Sequence, residues 1–148
     1  MEDLQQKLHI TRVTQVDDTF ITQLNSLQDE GTVWDIDQGK KFLENNDNLL
    51  LVAYWEKEIA GFLTAYRLQR FDKKKAEVLL YEIGVNENFR RKGIGKELIH
   101  ALKKWTKEVG SDEIWVPTNK SNIEAVALYR SAGGITESTD EQIYTIKI

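Results

Sequence analysis

The sequence contains no cysteine, only two histidines and a single proline, Pro117. Without cysteine the chain forms neither a disulfide nor a thiolate metal site, and neither His9 nor His100 has further ligands at metal-binding spacing, so we expect no metal. No apolar run approaches the roughly 20 residues that span a bilayer. The acidic N-terminus is also unlike the basic start of a secretory signal. We therefore expect a single domain, residues 1–148, that is cytoplasmic and has no membrane partner.

The net charge of −4 is unevenly distributed along the chain. Residues 1–39 are rich in aspartate and glutamate, whereas the charged residues of 90–107 are basic except for Glu97. A net negative charge is not typical of a nucleic-acid-binding protein, so we expect no nucleic-acid partner. A basic segment in an acidic chain is either solvated surface or the binding site of an anion.

The hydrophobic pattern changes from β to α after residue 85. The predicted elements are a strand at 9–13, a helix from Asp17 or Asp18 to about Gln28, a helix capped by Asp37, strands at 49–55, 59–68 and 76–85, a helix from 94 that ends at Gly110, a strand at 113–116, a helix at 122–132, and closing strands at 135–138 and 142–148. A helix joins the strand at 76–85 to the next one, so these two strands should be parallel.

The most informative segment, VNENFRRKGIGK at 85–96, joins a strand to the long helix. A helix N-terminus has unpaired N–H groups and a partial positive charge, which favours acids there and disfavours bases. Here four bases surround the first turn, and a bound phosphate or pyrophosphate would make them favourable. These bases are Arg90, Arg91, Lys92 and Lys96. Gly93 and Gly95 lack the Cβ that would keep a phosphate from the backbone. The spacing fits neither a P-loop nor a dinucleotide fingerprint.

The segment RRKGIG (90–95) resembles the acetyl-CoA pyrophosphate motif of the GNAT acetyltransferases, [Q/R]-x-x-G-x-[G/A]. NIEAVALYRSAG (122–133) is similar to the second motif of that family and lies on the expected helix. The resemblance covers residues 77–133, and the first 75 residues fit by the order of their elements. It implies an α/β GNAT fold, in which a mixed, mostly antiparallel β-sheet with a central parallel strand pair is flanked by four helices.

Within that family the chain most resembles the aminoglycoside 3-N-acetyltransferases. The similar segments are Phe71 with Asp72, Glu77, YEIGV (81–85), Arg90 with Arg91, and AVALY (125–129). Three positions differ: Glu82 replaces an aspartate of those enzymes, Asn122 is absent from them, and Gly134 replaces an apolar residue. The resemblance implies that acetyl-CoA is the co-substrate and an aminoglycoside the acceptor.

The resemblance also assigns the cofactor contacts. Ile83 and Val85 supply backbone groups to the pantetheine arm and the thioester carbonyl, and Gly84 between them predicts a bulge or a close backbone approach. The remaining contacts are Arg90, Arg91, Lys92, Gly93, Ile94, Gly95, Lys96 and Asn122. Asn122 is alternatively a helix N-cap.

Two residues are candidates for proton transfer. Glu82 lies in an apolar strand and would accept the proton of the attacking amine, or it is an outward-facing strand residue. Tyr129 would protonate the departing CoA thiolate, or it is a core residue of its helix. Because the chain has no cysteine, a thiol acyl carrier is excluded, and we expect direct attack of the amine in a ternary complex.

A polycationic small molecule is the expected acceptor. Acidic residues would line its cleft and form charge-assisted hydrogen bonds with its ammonium groups. The candidates are Asp35, Asp37, Glu137 and Asp140. The alternatives are polyamine or protein N-acetylation, and a non-catalytic CoA-binding sensor. A homodimer is an open alternative to a monomer.

Overall fold

The computed structural model describes residues 7–27, 33–136 and 140–148, which fall into two compact units, Met1–Pro117 and Thr118–Ile148. The first unit contains β1 (Leu8–Arg12), α1 (Asp18–Asn25), α2 (Ile36–Glu44), β2 (Asn48–Trp55), β3 (Glu58–Leu68), β4 (Ala76–Val85), a 3₁₀ turn (Glu87–Phe89), α3 (Ile94–Glu108) and β5 (Ser111–Trp115). The second contains α4 (Ile123–Ser131). Among the described residues no helix is long and apolar enough to cross a membrane.

The five strands form one mixed sheet in the order β1-β2-β3-β4-β5. Neighbouring strands are antiparallel except β4 and β5, which are parallel and joined by α3. The mixed sheet, the parallel pair and the four helices are therefore confirmed. The parallel pair lies at one end of this order rather than at its centre, because residues 142–148 form no strand. The other expected closing strand, 135–138, falls partly outside the described residues.

The sheet is buried on both faces by helices. Phe62 on β3 and Leu50 on β2 pack with Leu24 of α1 in one hydrophobic cluster, which the partly buried Phe42 of α2 joins. The opposite face receives α3, whose apolar stripe is fully buried. The buried residues of this stripe are Ile94, Leu98, Ile99, Leu102 and Trp105. The 3.6-residue period that predicted α3 is the period of this stripe.

Aspartates cap the two helices of the first cluster. Asp17 accepts a hydrogen bond from the Phe20 N–H at 2.7 Å, as the sequence predicts. The predicted cap of α2 was wrong: the cap is Asp35, whose Oδ1 accepts from the Gln38 N–H at 2.9 Å. Asp37 lies two residues later in the first turn. A cap must precede the helix with extended backbone so that its side chain reaches the third N–H, and Asp35 has that geometry.

Two glycines let β3 and β4 approach each other closely. A Cβ on Gly61 would lie 2.7 Å from the Gly84 carbonyl oxygen and 3.4 Å from Cγ2 of Ile94. A Cβ on Gly84 would lie 2.7 Å from Cε1 of Phe62. The neighbour that excludes a Cβ at Gly84 is thus a side-chain ring, whereas the sequence predicted a bulge or a close backbone approach there.

We expect Gly61→Ala to lower the free energy of unfolding by about 1–3 kcal/mol, because the added methyl meets a backbone oxygen that cannot move aside. Gly39→Ala is the matched control. There the Cβ would meet Cγ2 of Val16 at an ordinary 3.5 Å, and alanine favours a helix by up to about 1 kcal/mol over glycine. Urea unfolding of both variants measures the difference, and equal midpoints would contradict the close approach.

Candidate functional site

The turn between β4 and α3 is built around Asn86. Its N–H donates to the Ala60 carbonyl at 2.8 Å and extends the β3–β4 ladder by one residue. Its side-chain oxygen accepts from the Asn88 N–H at 3.0 Å, and its carbonyl accepts from the Phe89 N–H at 2.9 Å. Two residues beyond the 3₁₀ turn have positive φ, Arg91 at 63° and Gly93 at 77°. Left-handed backbone at a non-glycine residue is typical of turns that hold a ligand.

The first turn of α3 has no side-chain cap. Gly93 occupies the N-cap position and has no side chain to bond the free N–H groups. The first helical bond runs from the Glu97 N–H to the Gly93 carbonyl at 3.1 Å, so the three N–H groups before Glu97 lack an acceptor within the helix. A Cβ on Gly93 would meet no atom within 4 Å. The helix therefore begins at open space lined by N–H donors, a geometry that accepts an anion.

The basic residues of this turn differ in placement. Lys92 extends over the indole of Trp55, with Nζ 4.8 Å from the ring centroid, and the Trp55 and Phe89 rings lie 6.4 Å apart. This contact fixes the turn to the end of β2. Arg90, Arg91 and Lys96 are exposed.

Ile94 and Gly95 form the start of the helix itself. The Ile94 side chain is 1% exposed and lies in the core, whereas Gly95 is half-buried. Because the Ile94 side chain is buried, only its backbone N–H can make the cofactor contact predicted for this residue.

The parallel pairing of β4 ends before β4 does. Its ladder with β5 closes at Leu79 opposite Trp115, and Pro117 follows soon after. On β4, residues 80–85 pair with β3 alone among the described strands. Ile83 and Val85 thus lie on the part of β4 that has a second strand on one side only among the described strands.

A β-bulge interrupts β4 at Tyr81. The register shifts by one residue there: Ala65 on β3 pairs with Leu80, but Thr64 pairs with Glu82. In a regular ladder Thr64 would lie opposite Tyr81, and Glu82 would face α3. The extra residue turns Glu82 to the face of α1 and α2, so that both Tyr81 and Glu82 lie on that side. The bulge lies three residues before Gly84, the glycine at which the sequence had suggested one.

The Glu82 side chain lines a cavity of about 320 Å³. Its wall is mostly apolar and includes a run of aromatic rings, with Phe42 and Tyr66 ring centroids 5.7 Å apart and those of Tyr66 and Tyr81 5.5 Å apart. Asp35 supplies a second carboxylate, and Trp34 and Thr64 also line the cavity. Sequence reasoning missed Thr64, Tyr66 and Tyr81, because only the pairing of β3 with the bulged β4 brings them to Glu82.

The cavity contains two further electrostatic features. Burial raises the pKa of Tyr66 above its usual value, and the neighbouring Tyr81 and Glu82 raise it further. Trp34 Nε1 and Thr64 Oγ1 are buried and have no hydrogen-bond partner among residues 7–27, 33–136 and 140–148. The described residues contain no group of three or more acidic or histidine side chains placed to hold a metal ion.

The structure brings only part of the predicted acidic set to this cavity. Asp35 lines it, whereas Asp37 does not. Asp140 is an exposed residue of the second unit, and Glu137 lies outside the described residues.

Two candidate residues lie on α4 in the second unit. Asn122 is the N-cap of this helix, and its side-chain oxygen accepts from the Ala125 N–H at 3.1 Å. That oxygen therefore has the capping role that the sequence left as the alternative. Tyr129 is half-buried, and burial raises the pKa of its hydroxyl. A Cβ on Gly134 would lie 2.8 Å from the Tyr129 carbonyl oxygen, which explains the glycine at that position.

A sequence profile of the Acetyltransferase (GNAT) family matches residues 15–133. The chain belongs to this family. Members of the GNAT family use acetyl-CoA, and the uncapped start of α3 fits its pyrophosphate because donors, open space and bases meet there. The residues that would hold it are the N–H groups at the start of α3 and the exposed bases Arg90, Arg91 and Lys96.

Solved and curated relatives have several acceptors. A structure of the aminoglycoside acetyltransferase meta-AAC0020, from an uncultured soil metagenomic sample, is 30% identical to this chain with a TM-score of 0.84 and covers 98% of this chain and 100% of that one. Human N-acetyltransferase 8 is 26% identical over 64% of this chain and 41% of its own length. The ribosomal protein bS18-alanine N-acetyltransferase of Escherichia coli (strain K12) is 32% identical over 46% of this chain and 45% of its own length. This chain thus spans less than half of these two curated relatives.

We expect Gly93→Asp to abolish the stabilisation of the protein by acetyl-CoA, because the carboxylate would occupy the open space and repel the phosphates. Acetyl-CoA at about 100 times its Kd should stabilise the wild type by about 2.7 kcal/mol. Gly110→Asp is the matched control: Gly110 follows α3, also has positive φ, at 78°, and also has open space around its Cβ. Thermal unfolding with and without acetyl-CoA measures both. A folded Gly93→Asp protein that keeps the full shift would overturn the assignment.

Proposed function

We propose that the protein is an acetyl-CoA-dependent N-acetyltransferase that acetylates a primary amine of a polycationic small molecule, an aminoglycoside at its 3-amino group. The observation that carries the proposal is the bulge in β4, which makes the Glu82 side chain face the cavity. The same strand leads, through the turn at residues 86–93, to the uncapped start of α3. One strand therefore joins a site for an amine to a site for an anion.

Glu82 accepts the proton of the acceptor in this proposal. An alkylammonium has a pKa near 10, so freeing its lone pair at pH 7 costs on the order of 4–5 kcal/mol. A carboxylate in the cavity that binds the ammonium can take up that proton as the amine attacks. Asp35 and Glu82 line the cavity, and no lysine, arginine or histidine is among its described lining residues, so these carboxylates attract cations.

Acetyl-CoA supplies a thioester when bound, and the chain's own groups would serve the exchange of its C–S bond for a C–N bond. The open edge of β4 at Ile83 and Val85 offers backbone N–H groups to the thioester oxygen. Tyr129 donates its hydroxyl proton to the leaving sulfur. Burial raises the pKa of Tyr129 above its ordinary value, so the hydroxyl carries its proton at neutral pH as a free tyrosine does.

Two observations support an aminoglycoside as acceptor. Aromatic faces such as Tyr66 and Tyr81 pack against the apolar faces of sugar rings, while Asp35 and Glu82 attract ammonium groups. The meta-AAC0020 protein, which is similar over nearly the full chain, has been solved in complex with sisomicin. Peptide acetylation is the second candidate, favoured by the similarity to the bS18-alanine enzyme.

We expect Glu82→Gln to lower kcat at pH 7 by about 10²-fold, the usual contribution of a general base. The loss should shrink towards pH 9.5, because an increasing share of the amine is already deprotonated in solution. Glu58→Gln is the control, since Glu58 is an exposed glutamate on β3 that does not line the cavity. Thiol release by both variants across this pH range tests the role. Equal losses at the two pH values would argue against a base.

We expect turnover of sisomicin-like aminoglycosides, with acetylation at the 3-amino group shown by NMR of the product. Their KM should rise several-fold between about 0.05 and 0.5 M salt, because screening weakens the attraction of exposed carboxylates for the polycation. Spermidine and a basic peptide are assayed alongside. A much higher kcat/KM for either of these than for every aminoglycoside would overturn the antibiotic acceptor and leave the acetyltransferase activity standing.

A further inference from the structure

The Thr64 hydroxyl is buried in the centre of β3 without a hydrogen-bond partner. The residue is 6% exposed, and no donor or acceptor in the described part of the chain reaches Oγ1. An unpaired buried hydroxyl costs about 1–3 kcal/mol. Valine has the same shape and would avoid that cost, so a threonine here calls for an explanation.

The position of Thr64 supplies that explanation. The bulge in β4 makes Glu82 its direct cross-strand partner, and such pairs have Cβ atoms about 4.5–5.5 Å apart. Both residues line the same cavity. A turn of about 120° about χ1 places the hydroxyl of a threonine in another staggered position, and in such a rotamer the Thr64 hydroxyl can face the cavity that the residue lines. One small group in the cavity can then contact both side chains.

The chemistry of the cavity selects this group. Its titratable residues are Asp35 at the start of α2, Tyr66 on β3, and Tyr81 and Glu82 on β4. A carboxylate only accepts hydrogen bonds, whereas a hydroxyl both donates and accepts. An ammonium group has only donors, so it can bond the carboxylate with one N–H and the hydroxyl oxygen with another.

We propose that Thr64 orients the acceptor: its hydroxyl accepts a hydrogen bond from the reacting ammonium group and holds another N–H of that group against the Glu82 carboxylate. This role rests on the proposed function, since it acts in the same transfer. Glu82 removes the proton of the N–H that faces it, so the released lone pair first points at the carboxyl group, and the amine then turns about its hydrogen bond to Thr64 to present this lone pair to the acyl carbon. Thr64 holds the nitrogen in place during this turn and exchanges no proton.

Thr64→Val removes the hydroxyl and keeps the shape. We expect an unfolding midpoint equal to or above that of the wild type, together with a loss of at least about tenfold in kcat/KM for the amine at pH 7. The KM for acetyl-CoA should not change. Thr64→Ser keeps the hydroxyl and should restore most of the activity.

Thr106→Val is the matched control. Thr106 is a buried threonine on α3 whose hydroxyl donates to the Leu102 carbonyl at 2.8 Å, remote from the cavity lining. Loss of the Thr106 hydroxyl should lower the unfolding midpoint without changing turnover, which is the reverse of the result expected at Thr64.

The double variant Thr64→Val/Glu82→Gln tests whether the two residues act on one group. We expect it to be little slower than Glu82→Gln alone, because an oriented ammonium has no advantage once its proton acceptor is gone. Losses that multiply, wild-type kcat/KM in Thr64→Val, or a serine variant as slow as the valine variant would each overturn the proposal.

The proposed function fails in a different way. If the wild type acetylates no amine, both the proposed transferase activity and the proposed role of Thr64 are refuted. If the wild type and Glu82→Gln behave as proposed while Thr64→Val keeps full turnover, only the role of Thr64 falls.

Discussion

The one-residue register shift in β4 is the constraint on which the candidate site depends. A strand alternates its side chains between two faces, so an inserted residue exchanges the faces of everything beyond it. Before Tyr81, β4 follows the regular alternation, and after it Glu82 faces the cavity while Ile83 faces α3. The same shift sets Gly84 opposite Phe62, whose ring leaves no room for a Cβ. The position of Glu82 in the cavity and the packing of the Phe62 ring against Gly84 are therefore both consequences of the one-residue shift.

The turn before α3 was predictable because its signal is local. Bases at a helix start contradict the helix dipole, and that contradiction can be read from residues 90–96 without knowledge of any partner strand. The bulge was not predictable in the same way, since register depends on which residue of β3 lies opposite. Glycine is a reliable sign of tight backbone, but it could not show whether Gly84 accommodates a bulge or the Phe62 ring.

For the acidic residues, too, the sequence predicted only part of the arrangement. Composition indicated a cationic acceptor, but it could not show which carboxylates converge, because that depends on where each helix begins. Asp35 caps α2 and lines the cavity, while Asp37, two residues later, is excluded from it. The spans of the helices and of β1 to β5 were predicted to within a few residues, because apolar periodicity is a property of the chain itself, whereas the strand predicted at 142–148 does not form. The cavity is a property of the assembled sheet.

The single pairing of residues 80–85 also bears on how readily a second copy of the chain could add a strand to β4. A strand edge with unsatisfied backbone groups is a template on which another copy can add a strand. Residues 80–85 have β3 as their single partner among the described strands, and Pro117 cannot donate to a continued β5 ladder. The charge of Glu82 and the irregular backbone of the bulge make this edge a poor template for a second chain. Features that suit the edge to an acyl substrate would thus also protect it against aggregation.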